Sequence, residues 1–132
     1  MRCFVTIAAL AVLTNSAIAQ PATNPVLTSL PESVFTVTNF YKQAIYDSAD
    51  QKIGEVSDAL VDEQGKVTVV IVGVGGFLGI GEKDVAVPFS AIRATRKDNK
   101  WHLVMNTTKD VLKNAPAFKY DKANARWVPV KK

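Results

Sequence analysis

Short apolar blocks separated by polar clusters run along most of the chain. The most apolar block is Val67–Val74 (VTVVIVGV), which is hydrophobic on both parities for most of its length. A β-branched run of that kind predicts a central strand covered on both faces. Upstream, residues 44–47 (AIYD) predict a short strand, and residues 53–62 (IGEVSDALVD) a longer one. Ile53 and Val56 have opposite parity, so a strict period of two fails there, and Gly54 is placed to form a register-resetting bulge. Residues 48–52 and 63–66 read as polar turns, the second a hairpin with Gly65 supplying positive φ.

Downstream, residues 85–87 predict a strand that Pro88 ends, because proline cannot donate to a ladder. Residues 90–93 turn briefly, 94–96 resume a strand, and 97–100 (KDNK) make a second hairpin turn. Residues 101–105 then alternate, with Trp101, Leu103 and Met105 on one face and His102 and Val104 on the other. Residues 107–115 (TTKDVLKNA) predict a short helix. Thr107 or Thr108 caps it, Asp110 and Lys113 complement its dipole, and Pro116 stops it. A single helical turn is expected at residues 38–42, with Thr38 as N-cap. Phe118, Tyr120, Trp127 and Val128 offer apolar bodies for a C-terminal extended segment. The pattern is that of an all-β chain: a small antiparallel β-barrel with a short C-terminal helix.

The N-terminus follows a different logic. Arg2 precedes a ten-residue apolar core at 4–13 (FVTIAALAVL), and Ala17-Ile18-Ala19 supplies a small-residue cleavage site. These three parts predict a signal peptide over residues 1–19, cleaved after Ala19, and a periplasmic or secreted destination. The core is too short for a stable membrane span, which needs about 20 apolar residues. Cleavage would remove Cys3, the chain's one cysteine, and with it any disulfide or thiolate chemistry. Residues 20–37 carry three prolines among Thr, Ser and Asn and read as a flexible tether, from which Val34, Phe35 and Val37 can dock. The barrel domain is assigned to 38–120 and a C-terminal extension to 121–132.

The formal charge of +4 is mild. Basic side chains are interspersed with acidic ones, and the doublet Lys131-Lys132 reads as a solvated tail. No clustered basic patch argues for nucleic acid, although weak contact with anionic lipid or acidic partners fits the sign of the charge.

Five glycines between Gly73 and Gly81 raise the question of a phosphate cradle. The dinucleotide fingerprint fails, because Leu78 stands where its last glycine belongs and a strand follows in place of a helix. A P-loop fails because Glu82 follows Gly81. The glycines read instead as a barrel corner. Set among them are Phe77, Leu78 and Ile80. These either tuck into the barrel end or form an exposed tip. The rarity of exposed apolar patches favours tucking. Exposed, they would mark a partner-docking site with Glu82, Lys83 and Asp84 as its charged rim.

Other chemistry finds little footing. His102 is the sole histidine, Asp47 and Asp50 lack EF-hand spacing, and no G-x-S-x-G occurs. Glu55, Asp58 and Asp62 share a strand and read as a solvated face. Asp58 is the uncomfortable member, since it shares parity with Val56 and Leu60 and must cap a turn or bond a backbone amide. The expectation is a protein without catalytic residues, cofactor or metal.

Several segments together resemble a known family: 44–47 (AIYD), 52–56 (KIGEV), 58–62, and above all 75–89 (GGFLGIGEKDVAVPF). They are similar to the PRC-barrel domain, found in the H subunit of photosynthetic reaction centres and in the ribosome-maturation factor RimM. The long string resembles secreted, stand-alone bacterial members. The resemblance covers roughly residues 39–120 and implies a small β-barrel used for interaction or assembly, with no catalytic residues to transfer. A signal peptide and tether stand where the factor has another domain, and no spanning helix matches that of the H subunit, so neither role is inherited. The expected partner is a protein or envelope component. The alternative is a small ligand or lipid headgroup held at the barrel end near the glycine loop.

Overall fold

The computed structural model describes residues 25–75 and 81–131. The chain divides into two compact units, Met1–Glu32 and Ser33–Lys132. In the first, residues 25–32 contain bends and the start of a turn but no helix or strand. The signal-peptide expectation lies outside the described residues, as does the first part of the tether.

The second unit carries eight strands among the described residues: β1 (Ala44–Tyr46), β2 (Lys52–Val61), β3 (Val67–Val74), β4 (Lys83–Pro88), β5 (Ile92–Lys97), β6 (Lys100–Met105), β7 (Phe118–Asp121) and β8 (Arg126–Pro129). Two short helices, α1 (Val37–Phe40) and α2 (Lys109–Asn114), flank them. The strands form one sheet in the order β5-β6-β1-β2-β3-β4-β7-β8. The expected all-β barrel is present, with one correction. It is not wholly antiparallel: β1 and β6 run parallel, through Ile45↔Leu103 and Tyr46↔Val104. A 3-10 turn at Phe89–Ala91 carries the chain round a corner without reversing it, so β6 returns in the direction of β1. The extended segment expected after the helix is the β7–β8 hairpin.

One core closes the sheet on itself. Ile45, Ile53, Val56, Val70, Val72, Val74, Val85, Val87, Leu103 and Met105 are buried together, joined by Phe40 of α1 and Leu112 of α2. Ile92 and Ala94 of the edge strand β5 pack on the same cluster as Val85 and Val87 of β4. Strands far apart in the sheet order share one interior only if the sheet curls round it.

Irregularities decide which residues face inward. Between β1 and β2 the register shifts from Ile45↔Gly54 to Tyr46↔Lys52, leaving Ile53 as the extra residue beside the predicted bulge glycine. Ile53 and Val56, of opposite parity, are both buried as a result. A second shift passes from Val56↔Val72 to Asp58↔Ile71, with Ser57 extra. It turns Asp58 away from the core that its parity with Val56 would have put it in. A third, from Leu60↔Val69 to Val61↔Val67 with Thr68 extra, brings Val67 to the inner side that Val61 already shares with Ala59 by alternation.

Side chains fix the turns. Asp47 Oδ1 accepts from the amides of Ala49 and Gln51, and Asp62 Oδ1 from those of Gln64 and Lys66. Gly65 takes φ +81°, as its turn requires. Asp98 and Asn99 both take positive φ, the pairing that matches a two-residue turn to strand twist. Thr108 caps α2 by accepting from Val111 N. At α1 the expected Thr38 cap is corrected to Thr36, whose Oγ1 accepts from Asn39 N. Capping there lets Phe35, just before the cap, stack on Phe40 at 5.3 Å, a hydrophobic staple that seats Phe40 in the core.

Candidate functional site

Three of the residues singled out from sequence, Phe77, Leu78 and Ile80, lie outside the described residues. The expected rim residues do not form one charged group. Lys83 Nζ donates to the carbonyl of Lys113 at the end of α2, 2.6 Å away. Asp84 Oδ1 accepts from Ser57 Oγ at 3.0 Å. Glu82 is exposed, and its carboxylate lies over Gly73, in the space a β-carbon there would occupy. Lys83 and Asp84 thus tie β4 to α2 and β2.

The three carboxylates of β2 and its turn are likewise used separately. Glu55 meets Lys52 in an exposed ion pair at 3.4 Å, and Asp62 holds the hairpin turn. Asp58 has two partners: Oδ1 accepts from its neighbour Ala59 N at 2.8 Å, and Oδ2 from Trp127 Nε1 at 2.7 Å. The second bond spans 69 residues and pins β8 to the outer face of β2. Ile71, opposite Asp58 in the ladder, is fully buried yet outside the core cluster. It lies on the face to which Trp127 is tied. His102 stacks on Tyr46 at 4.6 Å, and its Nε2 lies 3.0 Å from Asp50 Oδ1. Among the described residues, no group of three or more His, Cys, Asp or Glu could hold a metal ion. No helix among them is long and apolar enough to cross a membrane.

The feature that sequence reasoning missed is the barrel mouth at the β2–β3 hairpin end. A groove of about 490 Å³ opens there. Phe35, Val37, Phe40 and Tyr41 line it from the α1 region, Val56, Ala59, Val61 and Val67 from β2 and β3, and Phe89 from the turn after β4, with Asp58 and Lys66 as charged members. Its rim is strongly apolar and open: Val37 is 84% exposed and Val61 60%. The rim follows from two local events already described. The Thr36 cap and its staple anchor α1 through Phe40 and leave Val37 outside. The shift at Thr68 turns Val67 toward the mouth beside Val61. Phe40 and Phe89 meet edge to face at 6.0 Å at its base. On β3 the groove is lined by Val67, at the opposite end of the eight-residue strand from the glycine loop. The one available sequence signal was a set of apolar residues, Val34 to Val37, next to a predicted helical turn.

Electrostatically the mouth is nearly neutral. Asp58 is engaged through both oxygens, and Lys66 sits on the exposed turn. Such a site favours apolar segments over ions.

A sequence model of the PRC-barrel domain matches residues 32–112, more than half of the chain. The match spans α1 to α2, including every wall of the mouth, and stops before β7. No curated protein matches the chain.

Proposed function

Since the chain belongs to the PRC-barrel domain family, we propose that it works as a non-catalytic interaction module of the periplasm, gripping an apolar segment of a protein or envelope component in the barrel mouth. The observation that carries this reading is the open apolar rim of Val37, Tyr41 and Val61 above a rigid core. Exposed aliphatic and aromatic side chains on a preformed concave surface lower the ordering cost of docking. The periplasmic part of the reading is supported by the three-part export signal over residues 1–19.

The test is site-specific photocrosslinking in intact cells from position 61, compared with positions 119 and 77. A discrete adduct from position 61 that disappears in Val37→Asp supports the mouth. Adducts from position 77 alone, abolished by Phe77→Ala/Leu78→Ala, would return the site to the glycine loop. Mass measurement of the protein from the periplasmic fraction checks export, with Gln20 as the expected first residue.

A second reading rests on the size of the groove, which falls within the range of about 300–1,000 Å³ typical of small-molecule sites. An apolar ligand would appear as added mass in native mass spectrometry and be absent from Val61→Asp.

A further inference from the structure

We propose that the β7–β8 hairpin is a docking surface for an anionic phospholipid bilayer, separate from the barrel mouth and independent of what the mouth binds.

The chain's charge is not evenly spread. Five of its sixteen basic residues but only one of its twelve acidic residues fall in residues 117–132. Eleven of each sign remain in the rest of the chain and cancel. The entire formal excess of +4 therefore resides on the last sixteen residues, beyond the part matched to the family.

The hairpin's register sorts these residues by face. Tyr120↔Trp127 and Phe118↔Pro129 are directly opposite pairs and share a side. Trp127 turns that side toward the barrel through its bond to Asp58, while Tyr120 beside it stays 47% exposed. Lys119↔Val128 and Asp121↔Arg126 share the other side, which points outward. Lys119, Lys122, Arg126 and Lys131 are all exposed, and Val130 is 44% exposed beside them. The one acid is held inside the turn: Asp121 accepts from Asn124 Nδ2 at 2.7 Å and from Ala123 N at 3.0 Å.

Cations alone would suit any polyanion. Here they are interleaved with the exposed Val130 and the half-buried Val128, aliphatic groups that a phosphate backbone has no use for. A bilayer interface takes both, with lysine and arginine heads at the phosphates and apolar stems and valines at the headgroup boundary. The remainder of the protein, balanced in the full chain and at −1 once Arg2 leaves with the signal peptide, adds little repulsion from an anionic surface.

The test is cosedimentation of the protein with phosphatidylcholine vesicles, with and without phosphatidylglycerol. Wild-type protein should partition onto the phosphatidylglycerol vesicles at low salt and leave at high salt. Each basic residue near such a surface is worth about fivefold in partitioning, so Lys119→Gln/Lys122→Gln/Arg126→Gln should lose about two orders of magnitude. Val130→Ser should weaken vesicle binding severalfold and leave binding to a DNA duplex unchanged. These positions are exposed, so an unchanged thermal unfolding curve is expected and confirms that the variants are folded. Equal binding to both vesicle types, as an apolar N-terminal segment alone would give, overturns the proposal. So does full binding by the triple variant. Binding to a DNA duplex tighter than to the phosphatidylglycerol vesicles, lost in the triple variant, would assign the surface to nucleic acid and overturn it equally.

Discussion

Replacing Trp127 with Phe removes one hydrogen-bond donor and keeps a ring beside Tyr120, whose centroid is 5.7 Å from that of the indole. The indole N–H donates to Asp58 Oδ2 at 2.7 Å in a partly buried setting. A hydrogen bond to a charged group contributes about 1.5–3 kcal/mol net. The carboxylate keeps Ala59 N on its other oxygen, which limits the loss to about 2 kcal/mol. That is roughly 30-fold in the equilibrium between docked and detached hairpin. The loss should be local. Only Asp84↔Phe118 joins β7 to β4 by ladder pairing, whereas β2, β3 and β4 pair along most of their lengths. In Trp127→Phe, amide exchange at Tyr120 and Val128 should accelerate by roughly that factor while Val70 and Val72 stay protected. In a double-mutant cycle with Asp58→Asn, most of the effect should appear as coupling. Acceleration below about threefold, or equal acceleration throughout β3, would refute the idea that this bond latches the hairpin.

Three further outcomes follow from the packing and the turns. A β-carbon at Gly54 would lie 2.6 Å from Val72 Cγ1 and 3.0 Å from Gly73 O, so Gly54→Ala should cost about 1–3 kcal/mol in urea unfolding. Leu103, 1% exposed in the cluster, should cost about 2–5 kcal/mol on replacement by Ala, read as a lower urea midpoint at unchanged slope. The Asn124 amide holds the Asp121 carboxyl below the ordinary 3.8, aided by the amides of Ala123 and Asn124 and by Lys119, with desolvation opposing. Its support of the hairpin turn is therefore complete above that pH and is lost as pH falls through the lowered value. NMR titration should show the carboxyl moving back toward 3.8 in Asn124→Ala.

Much of the barrel could be read from the chain because its signals are local. The two-sided apolar run at Val67–Val74, the glycine at 65, the Asp98-Asn99 turn and the Thr108 cap each carry their cause within a few residues. The register shift at Ser57 was hidden, since parity counted along β2 cannot reveal an extra residue that only its partner strand defines. Asp58 therefore read as an inward-facing problem until Trp127, 69 residues away, supplied its partner. Thr36 and Thr38 are equally good caps in isolation, and the choice falls to Phe35 and Phe40, whose stacking is a tertiary fact. The mouth was illegible for the same reason: Val37, Val61 and Phe89 come from three separate segments. The glycines drew attention because they are conspicuous in sequence, while the groove lies at the other end of β3.

The parallel pairing of β1 with β6 has a kinetic consequence. Every other neighbouring pair except β4–β7 is made by strands consecutive in the chain, so those ladders need only short closures. The β1–β6 seam, including the Gln43 Nε2 bond to Trp101 O, joins residues 58 apart. Chain entropy opposes that closure until the β2–β3–β4 meander and the β5–β6 hairpin have shortened the path between the two ends. The β1–β6 seam is then the last to close, although β1 is translated first and pairs early with β2. A chain released before β6 is complete would carry Ile45 with its partner strand still missing.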